Sequence, residues 1–342
     1  MRILIIGGTR FIGPHLVRHL VAQGHEVTLY HRGQTPAPLP PAVRHLYGER
    51  RELPARRAEL ARLAPEVAVD LFAMTAADAR AAVAGLRGIA GRLTVISSID
   101  VYRAFGRVIG VEPGPPDPVP LTEASPLRER RYPYRSAPPR PADDPDRWRD
   151  DYDKILVEQI VMSEPELPGT VLRLPMVYGP GDTQHRLFLY LKRMDDGRRV
   201  IVLDEQTARW RGARGYVENI AAAIALAATD PRAAGRIYHV AEPETPTEAD
   251  WVRAIGQAAG WDGEVVTVPA DRWRAPGSIP GDLAQHLSVE SSRIRGELGY
   301  VEPVPVDEAL RRAVAWERAH PPARYDPARF DYAAEDAALA AR

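Results

Sequence analysis

Residues 1 to 33, MRILIIGGTRFIGPHLVRHLVAQGHEVTLYHRG, constrain this chain more than any other stretch. A short apolar run, a glycine pair, a segment with apolar residues at helical spacing and a second apolar run follow one another in close order. That order reads as strand, turn, helix, strand. Gly7 and Gly8 allow the turn and the close approach of a pyrophosphate, and Gly13 lets the helix pack on the strand. Thr9, Arg10, Phe11 and Ile12 complete the turn ahead of the helix N-terminus, whose N–H groups would face the phosphates. The unit predicts a dinucleotide site.

The rest of the first half repeats the theme. Apolar runs at 2–7, 26–31, 43–47, 67–74, 92–98, 169–175 and 235–241 read as buried strands, and 12–23, 52–64, 77–87, 153–164 and 217–228 carry helical periodicity. Near-continuous apolar strands alternating with helices imply a parallel sheet covered on both faces, with ligands at the carboxyl ends of its strands. The fold class expected is therefore α/β, a Rossmann-type doubly wound sheet with a smaller C-terminal α/β substrate-binding cap. Residues 1–175 would form the dinucleotide domain with 217–241 returning to it, and 176–216 and 242–325 would form the cap. A loosely held tail would follow at 326–342. The proline-rich stretch 112–147 cannot be a continuous helix or a central strand. It reads either as a solvated linker or as a loop folded over the cleft.

Composition narrows the function classes. With 342 residues the chain exceeds one ordinary core. A net charge of -1 provides no field to attract nucleic acid or an anionic membrane. There is no cysteine, hence no disulfide frame or thiolate chemistry, and nine scattered histidines argue against a metal site. The N-terminal apolar run is too short to span a bilayer and has no cleavage site after it, so a cytoplasmic location is expected.

The glycine turn, VISSIDVY (95–102), Lys154 followed by Glu158, LRLPMVYGPGD (172–182) and RGYVENIAAAIALA (214–227) together resemble the extended, epimerase/dehydratase branch of the short-chain dehydrogenase/reductase family. The GGTRFIG variant is also similar to a bacterial subgroup related to chloroplast stem-loop RNA-binding proteins. Where family members carry a third glycine, this chain has Arg10. The resemblance implies an acidic residue at the end of the second strand in NAD-specific members, yet His31 and Arg32 stand there instead. Arg10 and Arg32 could flank a 2′-phosphate with planar guanidinium groups, so NADP is preferred over NAD. By the same resemblance Glu49 lies beside the adenine, Ala73 and Met74 line the ribose side, and Ser97, Pro175 and Val177 belong to the cofactor wall.

Family catalysis implies a Ser/Thr, a Tyr and a Lys, with the phenol moving a proton while a hydride moves to or from the nicotinamide. Ser98 and Lys154 match two of these. Lys154 is one of two lysines in an arginine-rich chain, and a compact ammonium is what arginine cannot imitate. The third position, four residues earlier, holds Asp150, and Tyr152 stands only two residues away. Four outcomes stay open: Tyr152 reaches in from an irregular first turn, Asp150 carries the proton, a loop tyrosine such as Tyr102, Tyr134 or Tyr178 substitutes, or no ordinary hydride chemistry occurs.

On the substrate side, Tyr102, Tyr178, His185 and Arg214 are expected at the cleft, with Arg186 and Trp210 as further candidates. Arg214 matches an arginine that contacts diphosphate in nucleotide-sugar epimerases, while Ile279 in SIPGDL stands where a partner arginine would be. The resemblance also implies a homodimer through 77–87 and 153–164. The reading is an NAD(P)-dependent oxidoreductase or epimerase acting on a hydroxyl or ketone of a sugar-like small molecule. The alternative is a non-catalytic NAD(P)-sensing or RNA-binding protein of the same fold, against which the near-zero net charge counts.

Overall fold

The computed structural model describes residues 1–274 and 281–340. The first layer builds as β1 (Arg2–Ile6), α1 (Ile12–Ala22), β2 (Glu26–His31), β3 (Arg44–Tyr47), α2 (Arg57–Leu63), β4 (Val67–Asp70), α3 (Ala76–Leu86), β5 (Leu93–Ser98), α4 (Arg103–Val108), α5 (Lys154–Met162) and β6 (Gly169–Leu174). The rest comprises β7 (Met176–Tyr178), α6 (Phe188–Asp195), β8 (Val200–Asp204), α7 (Glu205–Arg209), β9 (Arg214–Tyr216), α8 (Val217–Thr229), β10 (Arg236–His239), α9 (Glu248–Ala259), β11 (Glu264–Val268), α10 (Ser292–Leu298), α11 (Val306–Ala319) and α12 (Tyr332–Ala340).

Seven strands form one sheet in the order β10-β6-β5-β4-β1-β2-β3, every neighbouring pair parallel. The strand order reverses between β1 and β4, and this switch point opens the crevice into which a ligand of such a sheet fits. β1 shows why the sheet is covered on both sides. Ile3 and Ile5 pack with Leu16, Val17 and Leu20 of α1, whereas Leu4 and Ile6 pack with Leu53, Leu60, Ala79 and Val157. Successive side chains point to opposite faces, so an unbroken apolar run serves two cores at once.

Beyond β6 the chain builds β7 with β9 and β8 with β11 as separate parallel pairs. Three of these strands, at 176–178, 214–216 and 264–268, are too short or too mixed to stand out in the sequence. β10 and α8 return to the main layer, β10 pairing with β6. No helix among the described residues is long and apolar enough to cross a membrane.

Two stretches are more ordered than their composition suggests. Residues 112–147 fold back as a packed loop: Leu121 and Arg128 are buried, Asp117 pairs with Arg103 at 2.6 Å, and the backbone N–H of Tyr132 donates to Asp153 at 2.8 Å. The stretch is therefore a packed loop and not a solvated linker. The expected loose tail is likewise corrected. α12 docks on α6 through Glu335, which accepts from Arg193 Nε at 2.9 Å with both side chains buried. Neither charge could be left there without the other.

One buried network joins the strand ends beneath the cleft. Arg173 of β6 grips Glu158 of α5 through two bonds of 3.0 and 2.7 Å, and Ser97 of β5 donates to the same carboxylate at 2.5 Å. Removing one partner of a buried ion pair leaves the other uncompensated. Glu158→Ala should therefore lower unfolding stability by about 3–5 kcal/mol, measured by urea denaturation against the wild type.

Candidate active site

The dinucleotide end forms first in the chain. Gly7 and Gly8 turn the backbone with φ of 91° and 95°, values that residues with side chains rarely adopt. At Gly13 an added Cβ would stand 2.3 Å from the Cα of Gly8, so only glycine lets α1 close onto the turn. Phe11, ahead of α1, makes no side-chain cap, and no acidic residue stands in the first helical turn. The Gly13 N–H donates to the Arg10 carbonyl at 2.9 Å and Pro14 has none, so a pyrophosphate would meet the glycine turn and the first N–H of α1.

At the adenosine end, Arg10 Nε donates to Thr35 Oγ1 at 3.1 Å, tying the loop after β2 to the glycine turn, and Arg32 is exposed. His31 Nε2 meets His45 Nδ1 at 2.8 Å. The carboxylate at the end of β4, Asp70, is buried and consumed by Arg50. Glu49 is half-buried and fixed through its backbone, its carbonyl accepting from Tyr30 Oη at 2.7 Å.

The chemical end lies where β4 and β5 stop. α5 begins at Lys154, with Asp153 as its N-cap accepting from the Ile155 N–H at 3.0 Å. Residues 147–151 form a separate 3-10 turn, and Tyr152 lies in extended backbone between the two. Asp150 is therefore not one helical turn before Lys154, and the same-face pairing expected from the spacing is not formed. The loop takes Asp150 instead: it accepts from the N–H groups of Ser136 and Arg140 at 3.1 and 2.7 Å and from the Arg140 guanidinium. Burial works to raise its pKa, but these donors outweigh burial and hold it at about 2. An acceptor so fully occupied is a poor base.

The phenol of Tyr152 points the other way and donates to Asp100 Oδ2 at 2.5 Å. Tyr134, carried by the loop, reaches the same oxygen at 3.3 Å, and the Asp100 N–H donates to Ser98 Oγ at 3.2 Å. The Lys154 ammonium donates to the carbonyls of Ala73 at 2.7 Å and Ile96 at 2.9 Å, and stands 6.0 Å from the centre of the Tyr152 ring. Met74 holds the same corner, its carbonyl accepting from the Asp153 N–H at 3.1 Å. Burial pushes Lys154 down to about 8 despite the pull of Asp100 and Asp70. Burial also raises the Asp100 carboxyl, more than offsetting the hydrogen bond from Tyr152 and the charge of Arg128, and its Oδ1 has no partner among the described residues. Ser98, Asp100, Tyr134 and Tyr152 thus form one linked group, with the Lys154 ammonium beside it. Sequence reasoning passed over Asp100, although an acid two residues after Ser98 was a visible signal.

Two expected site residues are spent elsewhere. Tyr102 is fully buried, its hydroxyl held between Arg173 at 2.6 Å and His239 at 2.5 Å, so it does not reach the cleft. Ser97 is buried on Glu158 and not on the cofactor wall. Val177 packs its side chain into the core, and Pro175 is half-buried beside it. Tyr178, His185, Arg186, Trp210 and Arg214 do come together around a cavity of about 570 Å³. Ile279 lies outside the described residues.

A doubly wound sheet, an open helix N-terminus over a glycine turn and a buried lysine beside a phenol define a nicotinamide-dinucleotide-dependent enzyme. The family model described as "NAD dependent epimerase/dehydratase family" matches residues 3–137 and 132–241, and the chain belongs to that family. A 2'-dehydrokanamycin reductase of Streptomyces kanamyceticus is 28% identical over 284 residues, 80% of this chain and 71% of that one. A 3-diazoavenalumate denitrifying reductase of Streptomyces sp is 26% identical over 333 residues, 94% and 97% of the two chains. A chloroplast stem-loop binding protein of Arabidopsis thaliana shares 63% identity over 35 residues only, 10% of this chain. Among solved structures, a UDP-glucose 4-epimerase of Thermotoga maritima with UDP-glucose superposes with a TM-score of 0.68 at 17% identity, covering 93% of this chain and 99% of that one.

The buried ammonium gives the site a pH signature of its own. Lys154 titrates near 8 in the folded chain and near 10.5 when unfolded, so the unfolded state binds more protons between those values and stability rises with pH across that window. Relative to Lys154→Met, the wild type should gain up to about 3 kcal/mol between neutral pH and the upper end of the window. Denaturation curves of both proteins at matched pH values measure it.

Proposed function

We propose that this protein reduces a ketone, or oxidises the corresponding hydroxyl, of a sugar-like small molecule, with NADP preferred. The observation that carries the reading is the linked group at the ends of β4 and β5, where a phenol, a serine hydroxyl and an ammonium converge beside the dinucleotide crevice. The dinucleotide, when bound, supplies or accepts the hydride. Lys154 and the N-terminus of α1 hold it, and Ala73 and Met74 keep the ribose wall. Ser98 orients the reacting oxygen. Tyr152 moves the proton on that oxygen, and Asp100 holds the phenol in place through Oδ2. Reduction is favoured over epimerisation because the two relatives matched over most of the chain are named as reductases. A homodimer through α3 and α5, which expose Arg80, Ala84 and Gln159, belongs to the same reading.

Single-turnover reduction of a panel of keto sugars, 2'-dehydrokanamycin among them, tests the assignment of the proton carrier. Tyr152→Phe should lose about 10² or more in rate, the usual contribution of a general acid–base group. Asp150→Asn, confined to the loop anchor, should keep the rate within a few-fold wherever the protein stays folded. Equal losses in both, or a loss in Asp150→Asn alone, would remove Tyr152 from the role.

Phosphate choice has a separate measurement. Arg10 of the glycine turn and Arg32 after β2 stand exposed, and no carboxylate follows β2 to accept the ribose hydroxyls. Losing one charge-assisted contact costs about 1.5–3 kcal/mol, so Arg32→Ala should weaken NADP binding roughly tenfold or more and leave NAD nearly unchanged. Calorimetry with both dinucleotides reads it directly.

A further inference from the structure

The cavity in the cap starts at the carboxyl end of β6, with Met176 and Tyr178, and its floor is aromatic: Trp210, Trp251 and Tyr190. Arg214 is a cation on that floor, and both of its Nη groups are engaged. One Nη bonds the Glu248 carboxylate, the other donates to the Gly212 carbonyl at 3.0 Å, and the guanidinium lies 4.5 Å over the Trp251 ring. Glu248 is fixed in turn, its second oxygen accepting from Tyr190 at 2.8 Å. Both members of the pair are buried. Two further charges around the cavity are compensated in the same way. Arg186 is bound to Asp182 at 2.6 Å and His185 to Glu317 at 2.6 Å, while Arg324, Asp326 and Arg329 give the opposite wall both signs.

A diphosphate brought to Arg214 would have to face the Glu248 carboxylate or push it aside, leaving a buried carboxylate without its cation. A ring compound with hydroxyl groups meets no such obstacle, because it gains from the aromatic floor and needs hydrogen bonds alone. Resting on the reading above, the geometry points to Glu248 as the residue that sets substrate class. By occupying Arg214 it makes the cap cavity a site for a ring compound without a phosphate, in place of a nucleoside-diphosphate sugar. Glu248 is the first residue of α9, so the helix that closes the cavity also delivers the carboxylate that neutralises it.

The test uses the full chain with saturating dinucleotide, so that no nucleotide can enter the dinucleotide crevice, and two probes: UDP-glucose and the uncharged 4-nitrophenyl β-D-glucoside. In the wild type UDP-glucose should bind no tighter than the uncharged glycoside. Glu248→Gln should free Arg214 and tighten UDP-glucose binding at least about tenfold, the worth of one charge-assisted contact. The gain should vanish in the Glu248→Gln, Arg214→Met double variant, which localises it. Wild-type UDP-glucose binding tenfold tighter than the glycoside, binding of neither probe, or a folded Glu248→Gln with no gain would each overturn the proposal. If Glu248→Gln fails to fold, the wild-type ranking decides alone. Dinucleotide binding is recorded first in the same titrations. Its absence would defeat the hydride-transfer reading instead, and the probe ranking, with Arg214→Met as control, then decides the cavity on the free protein.

Discussion

The ammonium of Lys154 on the carbonyls of Ala73 and Ile96 is the contact around which the active end is organised. Those carbonyls lie beyond β4 and within β5, and neither would otherwise have a reason to face the start of α5. Burying an ammonium is unfavourable, and two carbonyl oxygens offset only part of that penalty, which is why the group's pKa falls. The arrangement holds a cation ready in a dry corner next to a phenol and a carboxyl, where each charge is felt more strongly than in water. Replacing the ammonium by arginine would put a wide planar group where the two strand ends leave room for a point charge.

Charge compensation is the second organising rule. The chain is rich in arginine, and many guanidinium groups are buried: Arg173 on Glu158, Arg193 on Glu335, Arg214 on Glu248. None of these is a reactive arrangement. Each joins two different elements, and together they tie the sheet to α5, the tail to α6 and the cap cavity to α9. A low net charge thus hides strong local pairing, and the pairing decides which residues remain free for chemistry.

Much of this was legible in the sequence, and the failures share causes. The apolar runs gave the inner strands of the seven-stranded layer because a strand buried on both faces needs nothing else, whereas the edge strand β3 is largely exposed. The short strands β7 and β9 have three residues each and owe their form to their neighbours. The docking of α12 rests largely on polar contacts, Glu335 with Arg193, Asp336 with Arg198 and Tyr332 with Asp196, which no hydrophobic pattern reveals. Ser97 and Ser98 are adjacent on β5, so only one of them can face the crevice, and the alternation could have assigned Ser97 to the core beforehand. Tyr102 failed differently, since its hydroxyl was claimed by Arg173 and His239 from strands far away in sequence. The placing of Asp150 depended on where α5 begins. Asp153 followed by an apolar run was a readable N-cap, and it puts Asp150 outside the helix.

That helix start changes what holds the phenol. In a continuous helix the offset between a tyrosine and a lysine is fixed by the helical repeat, and neither can move without the other. Here Tyr152 sits in extended backbone behind a 3-10 turn, and the turn is anchored through Asp150 to Arg140 and Ser136 of the proline-rich loop. Lysine and phenol are therefore held by separate supports. Changes in the length of one surface loop can re-aim the phenol over the crevice while the lysine and its two carbonyls stay as they are, which gives the chain a way to vary its reaction without rebuilding its sheet.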